Sequence, residues 1–426
     1  MDVLVIILFV SFLILLMIGI PVAYSLGIAS FIYLTLAGID LFSIPQKMYE
    51  GMDSFVLLCI PGFVLAGNLM NFGGLTEKIV DFGNHVFGHI RGGLGYANVG
   101  SSMVFSGISG TAIADTASIG GILIPAMKKS GYDTEYSCAI TAASSTIGPI
   151  IPPSVPMIIA GTLTGISVGR LFIAGVIPGV LIGLSQFFVN WYMSKKRGYP
   201  KGEKKSLKAI LKSFLDAFWA ILMTGVILFG ILGGIFTPTE AAIVAVIYAM
   251  VVGLFIYKEL KVKMLPKLFV QSARSSASIL LLVGFANVFA WILTREQIPQ
   301  MVANGILSLT TNQILIILLI NLLLIFVGMF METISAIVIL FPVLLAVTRT
   351  IGMPDIQFAV MAVLNLIIGL VTPPIGVCLF VSAKIGDISL ARISRAIVPF
   401  LVANIIVLLL VSYIEPITMW LPSILN

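Results

Sequence analysis

Two stretches of small, hydroxyl-bearing residues interrupt long apolar runs in the first half of the chain. They are Ser106-Gly107-Ile108-Ser109-Gly110-Thr111 and Ser144-Ser145-Thr146-Ile147-Gly148-Pro149. Prolines stand at 149, 152, 153 and 156, and a helix interior does not absorb that many lost N–H donors. Unwound backbone frees carbonyl oxygens, which together with hydroxyls can coordinate a hard cation such as Na⁺. The half-helix N-termini on either side offer unpaired N–H groups to an anion. A plain Gly/Ser helix-packing seam would give a similar composition, but the prolines favour a true break. Ser154 directly follows the Pro152-Pro153 pair and is the best single candidate for a substrate contact, with Ser109 facing it from the other stretch.

A second pair of stretches lies in the other half. Gly328 to Thr333 contains Glu332, and Gly369-Leu370-Val371-Thr372-Pro373-Pro374-Ile375-Gly376 carries the second Pro-Pro. An acid in an apolar segment costs roughly 2.5–3.5 kcal/mol at a helix centre. Asp115 and Glu332 therefore need an ion, a partner or a wet cavity. Asp115 is taken as a third substrate-side candidate beside Ser109 and Ser154. The alternative for both acids is simple solvation in a vestibule.

Other motifs read as bland. Gly107-Ile108-Ser109-Gly110 matches the pattern of intramembrane serine proteases, but that chemistry needs a base within reach of the serine. The two histidines, His85 and His89, precede it in a polar stretch. Their spacing of four would suit a metal, yet a third ligand is not in view, and an interfacial surface pair is the better reading. Arg170 and Arg392 read as snorkelling residues at helix ends rather than anion attractors. Thr237 or Thr239, with Glu240, reads as a helix cap. Cys59, Cys138 and Cys378 read as buried free thiols.

These residues must be held by membrane helices. Of 426 residues, 59% are hydrophobic and only 10% charged, and the mean hydropathy is +1.14. Apolar runs of bilayer length, roughly 20 residues, recur along the chain. This composition indicates an all-α polytopic membrane protein. The net charge of +6 does not indicate nucleic acid, because the lysines and arginines sit in short loops as the positive-inside rule requires. The apolar run from Val3 follows only Asp2, so it reads as a retained span rather than a signal peptide.

The chain also repeats itself. At an offset of 217, Pro21 meets Pro238, Gly67 meets Gly284, Asp115 meets Glu332 and Pro125 meets Pro342. At 221, Gly148 meets Gly369, Pro152-Pro153 meet Pro373-Pro374, and Pro178 meets Pro399. Spans are expected near 3–20, 22–38, 55–72, 137–163 and 171–193. The segment 97–127 is expected to be a re-entrant hairpin, whose irregular tip must face protein or a wet cavity. Five crossings per half would invert the second repeat. The expected organisation is a first inverted repeat at 1–194, with scaffold spans in 1–54 and the hairpin and broken helix in 97–163. A basic cytoplasmic linker follows at 195–212. The second inverted repeat is 213–426, with a hairpin near 314–342 and a broken helix at 357–382. Twice-used broken helices at a repeat interface suit a secondary transporter. A membrane enzyme using the intramembrane Ser/Asp/Glu cluster is the alternative, and a channel is a third reading.

The motifs together resemble a family, the large membrane subunit of tripartite ATP-independent periplasmic (TRAP) transporters of the DctM or SiaM type. The matching residues are Arg91-Gly92-Gly93-Leu94, Ser106 to Ala117, Ile151-Pro152-Pro153-Ser154, Leu171 to Gly179, Phe236 to Ala242 and Thr372 to Gly376. The resemblance implies an ion-transporter-type elevator fold with scaffold and transport domains. It implies sodium-coupled import of an organic acid, such as sialic acid or a C4-dicarboxylate, across the bacterial inner membrane. It also implies a separate small four-span membrane subunit and a periplasmic substrate-binding protein. One Na⁺ would be held by Ser106, Gly107, Gly110, Ser145, Thr146, Gly148 and Pro149. The other would be held by Gly328, Glu332, Thr333, Gly369, Thr372 and Gly376.

Overall fold

The computed structural model describes residues 3–425, apart from the side chains at positions 107–109, 307 and 309. Among the described residues the chain is helical throughout, with no strand and a single isolated bridge between Arg91 and Lys201. Seven helices are long and apolar enough to cross a bilayer, and an eighth crossing arises if the bent pair Leu390–Ala396 and Val398–Tyr413 counts as one. Apolar side chains cover the outside, as expected when lipid is the solvent, and a continuous buried cluster draws on both halves.

The order of elements repeats. Helix Gly93–Ser109, the turn at Gly110 and helix Ala112–Lys129 form a first hairpin. Gln313–Phe330 and Thr333–Thr350 form a second. Each hairpin is followed by an interrupted helix. In the first half this is Thr134–Ser144, a 3-10 turn Ser145–Ile147, an irregular stretch, then Val155–Thr164. In the second half it is Asp355–Gly369, an irregular stretch, then Val377–Gly386. The Pro152-Pro153 and Pro373-Pro374 peptide bonds are both cis. Missing proline donors account for both interruptions.

Three expectations are adjusted. The first two spans, read at 3–20 and 22–38, form helices Val3–Met17 and Val22–Leu36 of 15 residues each. At 1.5 Å per residue each is about 22 Å long, short of a ~30 Å hydrocarbon core. Pro21 separates them, since the residue before a proline is driven out of the helical region. Next, Pro178 lies inside the continuous helix Val168–Arg197, whereas at its counterpart Pro399 the chain bends by 54°. Finally, the sequence register pairs Asp115 with Glu332, but Asp115 lies one turn inside its helix while Glu332 is the N-cap residue of its own.

The two halves interlock. The returning limb of the first hairpin, Ala112–Lys129, packs on Val377–Gly386 of the second half. Reciprocally, Thr333–Thr350 packs on Val155–Thr164 of the first. The Ser382 hydroxyl donates to the Cys138 carbonyl across this junction at 2.7 Å. Arg392 pairs with Glu135 at the same end.

Candidate cation and substrate site

Close backbone approach brings each hairpin tip to its broken helix. A Cβ on Gly110 would lie 3.1 Å from the Pro153 carbonyl oxygen, and Gly110 itself has φ +61°, a conformation that favours glycine. In the second half, a Cβ on Gly328 would lie 3.0 Å from the Leu366 oxygen. Hydrogen bonds tie the same elements further down. Ser144 donates to Asn98 Oδ1 at 2.9 Å, and its counterpart Asn365 donates to Asn321 Oδ1 at 2.8 Å.

The hydroxyls of the first site point their protons backwards. Ser106 donates to the Ser102 carbonyl at 2.5 Å, Ser145 to Ala142 at 2.7 Å and Thr146 to Ala143 at 2.6 Å. A hydroxyl that donates its one proton to its own helix keeps lone pairs for a cation, although Thr146 Oγ1 also accepts from Asn404 Nδ2 at 3.4 Å and Gln186 Nε2 at 3.5 Å. Pro152 acts in the same direction, because it removes the donor that would have reached the Gly148 carbonyl; the Ser145 carbonyl accepts from Gly148 N at 3.2 Å. Ser154 is more fully engaged. It caps Val155–Thr164, donates to the Pro149 carbonyl at 2.5 Å and accepts from Met157 N at 3.2 Å. That leaves it one lone pair. The side chain of Ser109 and the surroundings of Gly107 lie outside what is described.

Asp115 is the distinctive group here. It has no exposed surface, and neither carboxylate oxygen has a hydrogen-bond partner among the described residues. Ser102 lies near enough to interact with it, but that hydroxyl donates to Ser144 at 3.0 Å. The carboxylate faces the interrupted helix, where a Cβ on Gly148 would lie 3.4 Å from Oδ2. Cys378 of the second half, fully buried like the other two cysteines, faces Thr116, Ser145 and Asp115. The helix N-terminus offsets part of the charge. A buried, unpaired carboxylate is otherwise costly, and a cation between the Asp115 carboxylate and the Gly148 backbone would remove that cost.

The second site differs chemically. Glu332 Oε2 accepts from Ile334 N at 3.0 Å and Ser335 N at 3.2 Å, so this carboxylate caps its helix. Unlike Asp115 it retains exposed surface. The Thr333 hydroxyl is buried without a hydrogen-bond partner among the described residues, and Thr372 donates to the Ile368 carbonyl at 2.7 Å. Gly376 adopts φ +53° at the start of Val377–Gly386.

A cavity of about 800 Å³ lies apart from both hairpin tips. Residues 47–56, 161–169, 237–239 and 287–294 contribute to its walls, and its polar groups include Ser54, Thr162 and Asn287. None of the residues assigned to the cation sites lines it. Its volume suits a small organic ligand. Sequence reading missed it because its walls come from these four segments and from Pro342 of helix Thr333–Thr350, with no shared motif. Thr237, on its rim, forms with Glu240 the cap expected there: Glu240 N donates to Thr237 Oγ1 at 3.3 Å and Thr237 N to Glu240 Oε2 at 2.8 Å. The two arginines do not reach the cavity. Arg392 is held by Glu135, and Arg170 is exposed.

Paired hairpins and interrupted helices in a multi-pass helical protein define a membrane transporter rather than an enzyme. A crystal structure of the Alcanivorax borkumensis YdaH transporter shares the fold, with a TM-score of 0.63 over 89% of this chain and 88% of that one, at 13% identity. The model of the family described as "Tripartite ATP-independent periplasmic transporter, DctM component" matches residues 9–417. The chain belongs to that family. It is 40% identical to the sialic acid TRAP transporter large permease protein SiaM of Vibrio cholerae, over 95% of each chain. It is 38% identical to the sialic acid TRAP transporter permease protein SiaT of Haemophilus influenzae, covering 97% of this chain and 67% of that one. It is 36% identical to the C4-dicarboxylate TRAP transporter large permease protein DctM of Pseudomonas aeruginosa, over 94% of each.

Proposed function

We propose that this chain imports an organic acid, such as sialic acid or a C4-dicarboxylate, across the bacterial inner membrane by coupling it to Na⁺. It works with a small four-span membrane subunit and a periplasmic substrate-binding protein. The observation that carries the reading is the buried Asp115 carboxylate, without a hydrogen-bond partner among the described residues and set against Gly148. Around it are the Ser106 and Ser145 hydroxyl oxygens and the Gly148 carbonyl, whose helical donor Pro152 removes, and that is a cation's ligand set. The second Na⁺ lies between Gly328–Thr333 and Gly369–Gly376, where Glu332 supplies the charge.

In this reading the halves are inverted repeats, and the interlocked hairpins and broken helices form a transport domain that moves as an elevator against a scaffold. The scaffold includes the helices near 1–54, and the linker expected at 195–212 is shortened to the segment between helices Val168–Arg197 and Leu207–Leu232. The 800 Å³ cavity, walled by segments of both bodies, is the vestibule through which substrate reaches Ser154 and Ser109. The driving force is adequate. Each charge crossing is worth about 2.3 kcal/mol per 100 mV, so two Na⁺ supply about 4.6 kcal/mol before substrate charge is subtracted, roughly a thousand-fold gradient.

Uptake of labelled organic acid by proteoliposomes containing the chain and both partners tests the reading. Accumulation should require an inward sodium gradient. Equal accumulation without one would remove the coupling, and transport by this chain alone would remove the partners.

A further inference from the structure

Helix Val168–Arg197 ends in Lys195, Lys196 and Arg197 and is closed by Gly198 at φ +67°. Just before its end, Phe188, Trp191 and Tyr192 are 66%, 50% and 52% exposed. Lys195 Nζ lies 5.6 Å above the Trp191 ring and Lys196 Nζ 5.9 Å above the Tyr192 ring. Exposed aromatic rings of this kind mark headgroup depth, so both ammonium groups are held there.

The linker that follows is anchored by its backbone. Gly92 N donates to the Pro200 carbonyl at 3.3 Å, Gly202 N donates to the Gly88 carbonyl at 3.0 Å, and Lys201 bridges to Arg91. A Cβ on Gly202 would lie 2.6 Å from the Gly88 oxygen, so the contact needs glycine. Beneath it is a groove of about 350 Å³ whose polar walls are Asn84, Ser130, Lys201, Glu203 and Lys205. Arg197 takes no part, being paired to Asp133 at 2.6 Å. The next helix, Leu207–Leu232, opens with exposed Lys208 and with Leu207, Leu211 and Leu215 exposed at helical spacing.

We propose that this segment is a binding site for an anionic phospholipid. The phosphodiester headgroup lies in the groove against Lys201 and Lys205, with its chains along Leu207, Leu211 and Leu215, while Lys195 and Lys196 hold the adjoining headgroup layer. A soluble polyanion would match the lysines but not the exposed leucines and aromatic rings beside them. Glu203 is the acid in the groove wall, and one carboxylate does not cancel the surrounding lysines.

The test uses the purified full chain, delipidated in detergent, and counts phosphatidylglycerol and phosphatidylcholine adducts by native mass spectrometry. Phosphatidylglycerol should be retained preferentially. Retention should weaken roughly 30-fold in Lys201→Gln/Lys205→Gln, the ~2 kcal/mol expected of two lysines near a negative leaflet. Lys258→Gln/Lys261→Gln, which removes equal charge from the basic loop between helices Pro238–Val251 and Leu265–Arg295, should leave it unchanged. Equal losses in both double variants, equal retention of the two lipids, or displacement of the lipid by inorganic phosphate alone would each overturn the proposal. Transport need not be measured, so failure here leaves the sodium reading standing.

Discussion

A Cβ on Gly369 would lie 2.5 Å from the Cα of Gly328, so the second hairpin and the second broken helix touch backbone to backbone. No flexible side chain lies between them to give way. Gly369→Ala must therefore part the two elements, at an overpacking cost of about 1–3 kcal/mol. Its thermal unfolding midpoint should fall and uptake should be lost. Gly121→Ala, at a helical site with nothing within 4 Å, should keep both. Equal midpoints for the two variants would count against the close contact.

Asp115→Asn keeps the shape of the side chain and removes its charge. Because neither carboxylate oxygen has a hydrogen-bond partner among the described residues, the substitution should leave folding intact or improve it. The sodium concentration giving half-maximal uptake should rise at least about ten-fold, the loss of roughly 1.4 kcal/mol of cation binding. A sodium titration that overlays the parent curve would take Asp115 out of the cation site.

Glu332 requires two variants, because it caps a helix as well as carrying charge. Glu332→Ala should lose the cap, worth about 0.5–2 kcal/mol, and lower the unfolding midpoint. Glu332→Gln keeps an acceptor oxygen, so its midpoint should stay near the parent value while its sodium titration shifts. If the Gln variant titrates like the parent, the residue is a cap and nothing more.

Asn365 ties the second broken helix to the second hairpin through Asn321. Asn365→Leu would leave the buried Asn321 Oδ1 with only the long 3.5 Å contact from the Ser412 hydroxyl, costing about 1–3 kcal/mol. The unfolding midpoint should drop accordingly. An unchanged midpoint would mean that the Asn321 side chain finds another donor.

Much of the fold could be read before any coordinates. The two Pro-Pro pairs announce interrupted helices, since paired missing N–H groups are a local fact, whereas the single matched prolines Pro125, Pro342 and Pro178 lie inside continuous helices. Glycine at 110, 148, 328 and 369 reads as part of the breaks and of the cation sites; the close backbone approaches at 110, 328 and 369 depend on the partner element and emerge only in the fold. The Thr237–Glu240 cap was legible because its partners lie three residues apart. Other features depend on distant partners. Sequence spacing could not reveal that Ala112–Lys129 packs on Val377–Gly386, nor that the aligned acids Asp115 and Glu332 diverge into a bare carboxylate and a cap. The large cavity was hidden too, because its walls are ordinary residues until five separated parts of the chain converge.

Sodium coupling is the central claim, and simultaneous flux measures it most directly. Proteoliposomes holding the chain with its small subunit and binding protein would be loaded without sodium, then given ²²Na⁺ and labelled organic acid together. The account predicts that both labels enter at a fixed ratio and that each requires the other. Entry of the organic acid with no accompanying ²²Na⁺ would contradict it.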